Sequence, residues 1–511
     1  MGGRGVLALV AGAVAAGLLT AGPAGATTPA APVVGQVAGY SADTANEEAY
    51  WYSRYSMMTL TMQSGLGTAM PMTPALQSMM MQWMAQVGAA PSDPVMPPMN
   101  ATLLATIYAG GDPHYRTAPN QSDFSTLTWV GGAPVLTTES TAFTIEKEIE
   151  WAKLFHRDGH FGQAGVDTFG STQRFVGVLL ANMAKMQVMA YEADASHYRT
   201  TKAGDYALLI ALSDGAAFYA SSDQANDQGP AAGPATYPAE NRYNDPAAAA
   251  QFQMLADAAF SRVVASHPTT VRDLNLAIQS VVWYAATTHD PATLATARAA
   301  LLRWGHQLAD ADAEGPAALA NQVRGLIEVG RTTGRDSYLG AAAHAFRELT
   351  EHFDAVHGVL SGTHRLTTDD VGTIAGAFNA AGLFLGDRID QTRATATYAA
   401  WWEGTVDQSG FEISSPAVDQ MKMPYELLDP PGRGTTPQPT LNYRYPTVPL
   451  PQDAGGTYGA APVFAASITW TGHHWVADHN WFDTAGAMHA ANELIWFHSD
   501  EINGFPDVTL P

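Results

Sequence analysis

Residues 247–404 consist of successive segments with helical periodicity, each roughly 15 to 20 residues long and joined by short turns. Helix-breaking residues separate these segments, at His267-Pro268, Asp290-Pro291, Gly315-Pro316, Gly334 and Gly386. In the segment that begins at Asp336, Leu339, Ala342 and Phe346 recur on one helical face. Helices of this length need neighbours to bury such a face. The series therefore predicts a mainly α fold in which helical hairpins pack side by side.

Helices are also expected outside this series. Periodicity predicts them over residues 146–156, 171–194 and 201–221. Residues 45–110 contain helical runs as well, and Asp483 is placed to cap a final helix. Short strands or irregular segments are predicted only near residues 124–138 and 440–475.

The predicted helices number about a dozen, and a ring of paired helices is an economical way to bury so many apolar faces. This pattern of helix lengths and turn spacing resembles the α/α toroid, the six-hairpin arrangement of many glycosidases and polysaccharide lyases. The resemblance covers roughly residues 145–404. An open array of helical hairpins fits the same pattern, and fold alone does not imply function.

The two ends of the chain differ from this body. Arg4, the apolar run Val6–Leu19 and Ala24-Gly25-Ala26 have the pattern of an export signal, which predicts a secreted, extracellular protein with no membrane span in its mature part. The predicted organisation is a signal peptide (1–26), a linker (27–44), a Met-rich helical region (45–140), the helical-hairpin body (141–427), a Pro/Gly-rich loop (428–458) and a His/Trp-rich segment that completes the body (459–511).

Charge and cysteine content exclude several classes of function. The chain has 48 acidic and 25 basic residues, a formal net charge of −23. Phosphate backbones are bound by clustered Lys and Arg, so this balance argues against a nucleic-acid partner. Cysteine is absent, which excludes disulfides, thiolate metal ligands and cysteine nucleophiles.

One candidate half-site lies in residues 146–162. On a helix, His156 shares a face with Ile145 and Ile149 and is expected to point inward, whereas Glu146, Glu150, Lys153 and Arg157 share a face that is expected to be solvated. Gly159 is expected to end the helix and to leave His160 on a loop. The alternative is that His156 is a hydrogen-bonded core histidine followed by a helix cap.

The second candidate half-site is residues 471–498, which hold five of the sixteen histidines and three of the twelve tryptophans. His489 and Glu493 are four residues apart on the final helix and share a face, so the carboxylate can orient an acid/base histidine. The candidate catalytic residues are His156, His160, His479, His489 and Glu493, and the candidate substrate-binding residues are Trp475, Trp481, Tyr115 and Arg116. A packed Trp/His interface is the alternative.

Metal binding is a separate hypothesis. Candidate ligands are His156, His160, His474 and His479, and eleven of the nineteen methionines fall between Met57 and Met99. Thioether and imidazole donors suit copper, and imidazoles with carboxylates suit other divalent metals. Methionine is also an adaptable core residue. Met183, Met186 and Met189 are open to both interpretations, so the cofactor stays unassigned.

These observations are consistent with three different functions. The preferred one is an exported hydrolase or lyase that acts on an extracellular polymer, most plainly a polysaccharide. The second is a copper- or metal-binding protein or metal-dependent oxidoreductase, and the third is a non-catalytic protein that binds a polymer or a small ligand. Asp369-Asp370 could form an acid/base pair, but the pair also fits a helix N-terminus with no further role.

Overall fold

The computed structural model describes residues 135–157, 171–221, 245–386, 388–407, 463–478, 482–495 and 504–510, with shorter pieces at 67–70, 103–111 and 412–414 and scattered positions between 41 and 53. Within these ranges the protein is mainly α-helical, which confirms the prediction of a mainly α fold. No helix within the same ranges is long and apolar enough to cross a membrane.

Eleven α-helices account for most of the described residues. They are α1 (Thr138–Arg157), α2 (Ser171–Ala193), α3 (Lys202–Ala220), α4 (Pro246–Ala265), α5 (Val271–Ala285), α6 (Pro291–Ala309), α7 (Pro316–Thr333), α8 (Asp336–Glu351), α9 (Thr368–Phe384), α10 (Arg388–Trp402) and α11 (Thr484–Ile495). Three of them begin with proline, and the side chains of Asp245 and Asp290 cap the starts of α4 and α6. Gly334 ends α7 in the left-handed conformation, with φ of 64°.

The described strands are short. They are β1 (Gly67–Met70), β2 (Leu103–Ile107), β3 (Gly110–Gly111), β4 (Phe353–Asp354), β5 (Val359–Leu360), β6 (Arg365–Thr367), β7 (Glu412–Ser414), β8 (Val463–Phe464), β9 (Ser467–Trp470), β10 (Trp475–Ala477) and β11 (Phe482–Asp483). β10, β9 and β6 form an antiparallel sheet, and β6 runs directly into α9. β11 pairs with β3 and runs directly into α11.

The prediction that residues 45–110 are helical is wrong where β1 and β2 pair antiparallel. Short apolar runs do not distinguish a strand from a buried helix by periodicity alone, and this segment has both glycine and β-branched residues. The predicted strand character near residues 440–475 is confirmed for β8 and β9. Of the predicted irregular segment 124–138, the described residues 135–137 are extended, and Thr137 bridges to Arg199.

The odd-numbered helices pack against one another in succession. α1 contacts α3, α3 contacts α5, α5 contacts α7, α7 contacts α9, α9 contacts α11, and α11 contacts α1. Each even-numbered helix packs on the odd-numbered helix that precedes it. Helices α3, α5 and α7 are buried on most of their circumference, whereas α4, α6 and α8 bury one face. The odd-numbered helices therefore form an inner layer and the even-numbered helices an outer one.

The inner helices run in the same direction. A Cβ added to Gly204 at the start of α3 would lie 3.1 Å from Cβ of Thr138 at the start of α1. In their second turns, Asn275 of α5 donates to Asn321 of α7 at 2.8 Å. At the first turn of α9, Asp369 pairs with Arg272 at the start of α5. The amino ends of these helices therefore lie at one end of the protein.

Residues from the amino-terminal part of the chain lie against the contact between α11 and α1. The Ser53 hydroxyl donates to the Ala491 carbonyl at 2.7 Å, and the Lys147 amine contacts both groups. Burial lowers the pKa of Lys147, although Glu150 and Glu146 oppose that shift. Polar groups therefore join the first and last helices of the inner layer.

Candidate functional site

Five charged side chains meet near the amino ends of α1, α5, α9 and α11, and we call them the Asp369 cluster: Glu139, Arg272, Asp369, Asp483 and His489. Arg272 joins three helices. Its Nε donates to Oδ2 of Asp369 at 2.7 Å, and its Nη2 donates to Oδ1 of Asp369 at 2.9 Å and to Oε1 of Glu139 at 2.8 Å. This two-point contact is the strongest geometry that a guanidinium and a carboxylate can adopt.

The Asp369 cluster is partly open to solvent. The side chain of Arg272 is 33% exposed, that of Glu139 is 18% exposed, and that of Asp369 is 16% exposed. His489 lies deeper, at 8%. Glu139, Arg272 and Asp369 are therefore only partly shielded from solvent by the described residues.

The local sequence explains why Asp369 is free to make these contacts. Thr367 caps α9 by accepting from the Asp370 backbone at 3.1 Å, and the Asp370 carboxylate accepts from the Thr367 backbone at 2.8 Å. The expectation that Asp369 and Asp370 merely form a helix start is therefore confirmed for Asp370 alone. Asp369 points instead toward α5 and α11.

His489 projects from α11 toward Asp369. Its Nδ1 lies 3.1 Å from Oδ1 of Asp369, its Nε2 lies 3.7 Å from Oε1 of Glu493, and its ring centroid lies 5.1 Å from that of Phe143. Burial alone would lower the pKa of His489, but the carboxylates of Asp369 and then Glu493 outweigh burial and raise it. The protonated imidazolium is therefore favoured.

Two carboxyl groups of the cluster have opposite electrostatic environments. Burial would raise the pKa of Asp369, but Arg272 and then His489 outweigh it and lower the pKa well below its usual range. Burial, followed by the charge of Asp369, raises the pKa of Asp483 to about 6. A Cβ added to Gly486 would lie 2.7 Å from Oδ2 of Asp483 and 3.6 Å from Cβ of Asp369. The two carboxyl groups thus flank one point on α11.

Asp483 also caps α11, as the sequence predicts, because its Oδ2 accepts from the Gly486 backbone at 3.2 Å. A carboxyl group whose pKa is raised to about 6, next to one whose pKa is lowered, has an acidity suited to proton transfer near neutral pH.

A second group of charged residues lies farther along α1 and α3, and we call it the Glu146 cluster: Glu146, Glu150, Lys153 and Asp214. Lys153 pairs with Glu150 at 2.7 Å and also with Asp214. Burial raises the pKa of Glu146, and the charges of Asp214, Glu150 and Glu493 add to that shift. The prediction that Glu146, Glu150 and Lys153 form a solvated face is wrong, because α1 is surrounded by α2, α3 and α11.

The predicted pairing of the two histidine-rich stretches is only partly reproduced. α1 and α11 are neighbours, as expected, but His489 contacts α1 at Phe143. His156 is thirteen residues farther along α1, which places its backbone about 20 Å from that level. The cluster around His489 is therefore completed by Asp369 and Arg272, not by the end of α1.

The remaining predicted site residues fall in three groups. His474 is exposed on the turn between β9 and β10, where Thr471 contacts its ring. Trp475 is buried, with its ring centroid 5.3 Å from that of Trp470, which places it in the core and not on an open surface. The others lie outside the described residues: His160, His479, Trp481, Tyr115 and Arg116.

Metal ligation is not organised in the part of the chain that the structure describes. Within that part, no group of three or more His, Asp or Glu side chains is arranged to hold a metal ion. Met183 and Met186 are buried in the hydrophobic core, and Met189 is 45% exposed. The methionines from Met57 to Met99 lie outside the described residues except for Met70, of which only the backbone in β1 is described.

Sequence reasoning missed Glu139 and Arg272 and undervalued Asp369. One signal was available, because Arg272 occupies the first turn of α5, where the helix dipole disfavours a cation. An arginine in that position indicates carboxylate partners from other elements. Its partners, however, lie 97 and 133 residues away in the chain.

No family model matches the chain, and no curated protein or solved structure is detectably similar to it. The function is therefore argued from the geometry of the Asp369 cluster.

Proposed function

We propose that the protein is an exported hydrolase that cleaves an extracellular polysaccharide, with the Asp369 cluster as its acid–base site. The observation that carries this proposal is the opposite shift of two neighbouring carboxyl groups. The pKa of Asp369 is lowered, and the pKa of Asp483 is raised to about 6. Carboxyl groups whose environments separate their pKa values supply the acid and the charged partner in glycoside hydrolysis.

The proposed architecture is a six-hairpin α/α toroid. The successive contacts of the odd-numbered helices, which return from α11 to α1, support a closed ring in preference to an open array. Ala45, Ala49 and Ser53 are buried, and Ser53 contacts α1 and α11, which supports an amino-terminal segment in the place of a sixth outer helix. The Asp369 cluster then lies at the end of the ring where the inner helices begin.

The roles follow from the contacts. Asp483 is the proposed general acid, which protonates the oxygen of the leaving sugar. Asp369 accepts a proton poorly because its pKa is so low, so its proposed role is to stabilise positive charge that develops on the glycosyl carbon. Glu139 makes one hydrogen bond to Arg272 and accepts from Thr201 at 3.3 Å, which leaves its carboxylate the better group to activate water.

Charge favours hydrolysis of a neutral polymer over elimination from a polyuronate. A lyase must neutralise the uronate carboxylate with a cation or a hydrogen-bond donor. Arg272 and His489 are already paired with carboxylates of the cluster, and Asp369, Glu139 and Asp483 would repel another anion. We therefore propose neutral polysaccharides as the substrate class.

The test is an activity screen of the purified mature protein on neutral polysaccharides and polyuronates. Hydrolysis creates reducing ends without unsaturated sugars, whereas elimination creates both. On the best substrate, Asp483→Asn is expected to lower kcat/KM about 10²- to 10⁴-fold. Because the acid must be protonated, wild-type kcat/KM is expected to fall as pH rises above about 6.

Asp290→Asn is the matched control. Asp290 caps α6 as Asp483 caps α11, so both variants exchange one capping side chain for another. Only the Asp483 variant is expected to lose activity. Equal activity of the two variants, or unsaturated products from the wild-type protein, would contradict the proposal, and binding without cleavage would favour the non-catalytic alternative.

A further inference from the structure

The Asp369 cluster continues into the protein interior as a row of charged side chains. His489 Nε2 lies 3.7 Å from Oε1 of Glu493, and the same oxygen lies 3.9 Å from Nε of Arg324. Arg324 Nη1 donates to Oε1 of Glu328 at 3.0 Å, and Arg331 lies 3.5 Å from the other Glu328 oxygen. Acidic and basic groups alternate along this row, from the partly exposed Arg272 to the fully buried Arg324.

The inner end of the row is covered by the carboxy-terminal residues of the chain. Arg324 Nη2 donates to the Gly504 carbonyl at 3.1 Å, and its guanidinium lies 3.6 Å from the centre of the Phe505 ring. The guanidinium of Arg331 lies 3.9 Å from the ring centre of Phe384. Gly504 and Phe505 therefore pack on the side chain of Arg324 and restrict its position.

We propose that Arg324 is a positioning residue that holds the Glu493 carboxyl group beside His489 and Asp369, and that Gly504 and Phe505, in the segment 504–510, are the clamp that fixes Arg324. The coupling joins the carboxy-terminal segment to the proposed active site through three side chains. It assigns a role to two buried residues, Arg324 and Glu493, that do not touch a substrate in the proposed reaction.

The charges of Arg324 and Glu493 determine how a change at one residue affects the other. Burial raises the pKa of Glu493, while Arg324 and then His489 oppose that rise. Without Arg324, Glu493 would hold its proton to higher pH and would lose the charge that favours imidazolium. The charged groups that face His489 are Asp369 from α9, Glu493 from α11 and Arg272 from α5, and α1 contributes the uncharged ring of Phe143.

The role of this coupling in catalysis rests on the proposed function, but the coupling itself can be measured without any enzymatic activity. Titration of His489 is measured by NMR on the full-length mature protein labelled with ¹⁵N-histidine. Its resonance is the one that is missing from His489→Gln. A shifted titration with no enzymatic activity would support the coupling and contradict the hydrolase, so the two failures are distinguishable.

Glu493→Gln is expected to lower the pKa of His489 by about one unit, because it removes one of the two carboxylates beside the ring. Arg324→Gln is expected to lower it in the same direction, and Arg324→Lys is expected to restore part of the shift. A purely structural role of Arg324 would not produce this order. If Arg324→Gln fails to fold, Phe505→Leu tests the same coupling through the clamp.

Leu510→Ala is the control for Phe505→Leu. Both variants trim a buried side chain of the same carboxy-terminal segment, but only Phe505 stacks on Arg324. A lowered His489 titration in Phe505→Leu with no change in Leu510→Ala supports the clamp. An unchanged titration in folded Glu493→Gln, or equal shifts in the two carboxy-terminal variants, overturns the proposal.

Discussion

The Asp369 cluster and the Glu146 cluster use similar residues in different surroundings. In the Asp369 cluster, one carboxylate accepts two hydrogen bonds from Arg272 and lies beside a second cation, so its pKa is lowered. In the Glu146 cluster, Glu146 has three acidic neighbours, and burial raises its pKa. The same side-chain chemistry thus lowers the pKa of a carboxyl group in one place and raises it in the other.

This difference distinguishes a site from a polar core. The Glu146 cluster has almost no contact with solvent, since Glu146, Glu150 and Asp214 are buried. The Asp369 cluster is partly exposed and contains both an ionised and a readily protonated carboxyl group. Of the two clusters, the Asp369 cluster is therefore the better candidate for proton exchange with a ligand.

The largest expected effect is on stability. Asp369→Asn removes the charge that pairs with both Arg272 and His489, and because the pair with Arg272 is partly exposed the expected cost is about 3 kcal/mol of unfolding free energy, the lower end of the range for buried pairs. Burial and three acidic neighbours raise the pKa of Glu146 and so favour its uncharged form, which glutamine resembles in shape; the cost of Glu146→Gln is therefore expected to be less than about 1 kcal/mol. Urea unfolding at neutral pH measures both.

The pair of variants is its own control, because both exchange a carboxyl group for an amide on an inner helix. Similar losses in the two variants would mean that the clusters do not differ in charge state. A larger loss in Glu146→Gln would reverse the comparison and indicate an ionised Glu146.

An intermediate effect is expected where the two clusters meet. The Glu493 carboxyl group interacts with His489 of one cluster and raises the pKa of Glu146 in the other. It packs directly on Gly376 of α9, where an added methyl group would collide with it. Gly376→Ala is therefore expected to lower the unfolding free energy by about 1–3 kcal/mol, measured by urea unfolding.

Gly340→Ala provides the comparison for Gly376→Ala. Gly340 is also inside a helix, α8, but nothing lies within 4 Å of an added Cβ. This variant is expected to stabilise the protein by about 0.5–1 kcal/mol, because alanine favours the helix. If both glycine variants are stabilising, the Glu493 carboxyl group can move away from the added methyl group. Its position between the two clusters is then not fixed.

Local sequence signals predicted the helices well, because the boundaries are determined locally. Asp290-Pro291, Gly315-Pro316 and Gly334 mark observed starts and ends, and Asp483 caps α11 as expected. Signals of this kind depend on residues within one turn of the chain. The helical class of the fold was therefore accessible from the sequence.

The candidate site was accessible only in part. His489 and Glu493 were found because they are one turn apart on one helix. Arg272 and Asp369 are joined by packing of α5 and α9, and no periodicity within either helix indicates that contact. The same limit explains the misjudged face of α1, since its charged residues are buried by helices that are distant in sequence.

The smallest expected effect on stability comes from Asp483 of the Asp369 cluster. Its pKa is raised, as is that of the buried Glu146. The pKa of Asp483 is raised to about 6, whereas an unfolded aspartate titrates near about 3.9. The folded protein therefore binds this proton more tightly, and the stability that it adds below about pH 3.9 is lost as pH rises through 6. Partial exposure reduces the effect to the order of 1–2 kcal/mol.

Asp478 supplies the opposite sign within the same segment of the chain. Ser467, Thr469 and Arg365 overcome burial and lower its pKa to about 2, so its contribution is present above about pH 3.9 and is lost as pH falls through 2. Unfolding free energies of wild type, Asp483→Asn and Asp478→Asn, measured from pH 3 to pH 7, test both signs. Relative to wild type, Asp483→Asn should gain stability as pH rises, and Asp478→Asn should lose it. If Asp483→Asn tracks wild type across this range, Asp483 titrates as an ordinary surface acid and cannot be the proton donor of the cluster.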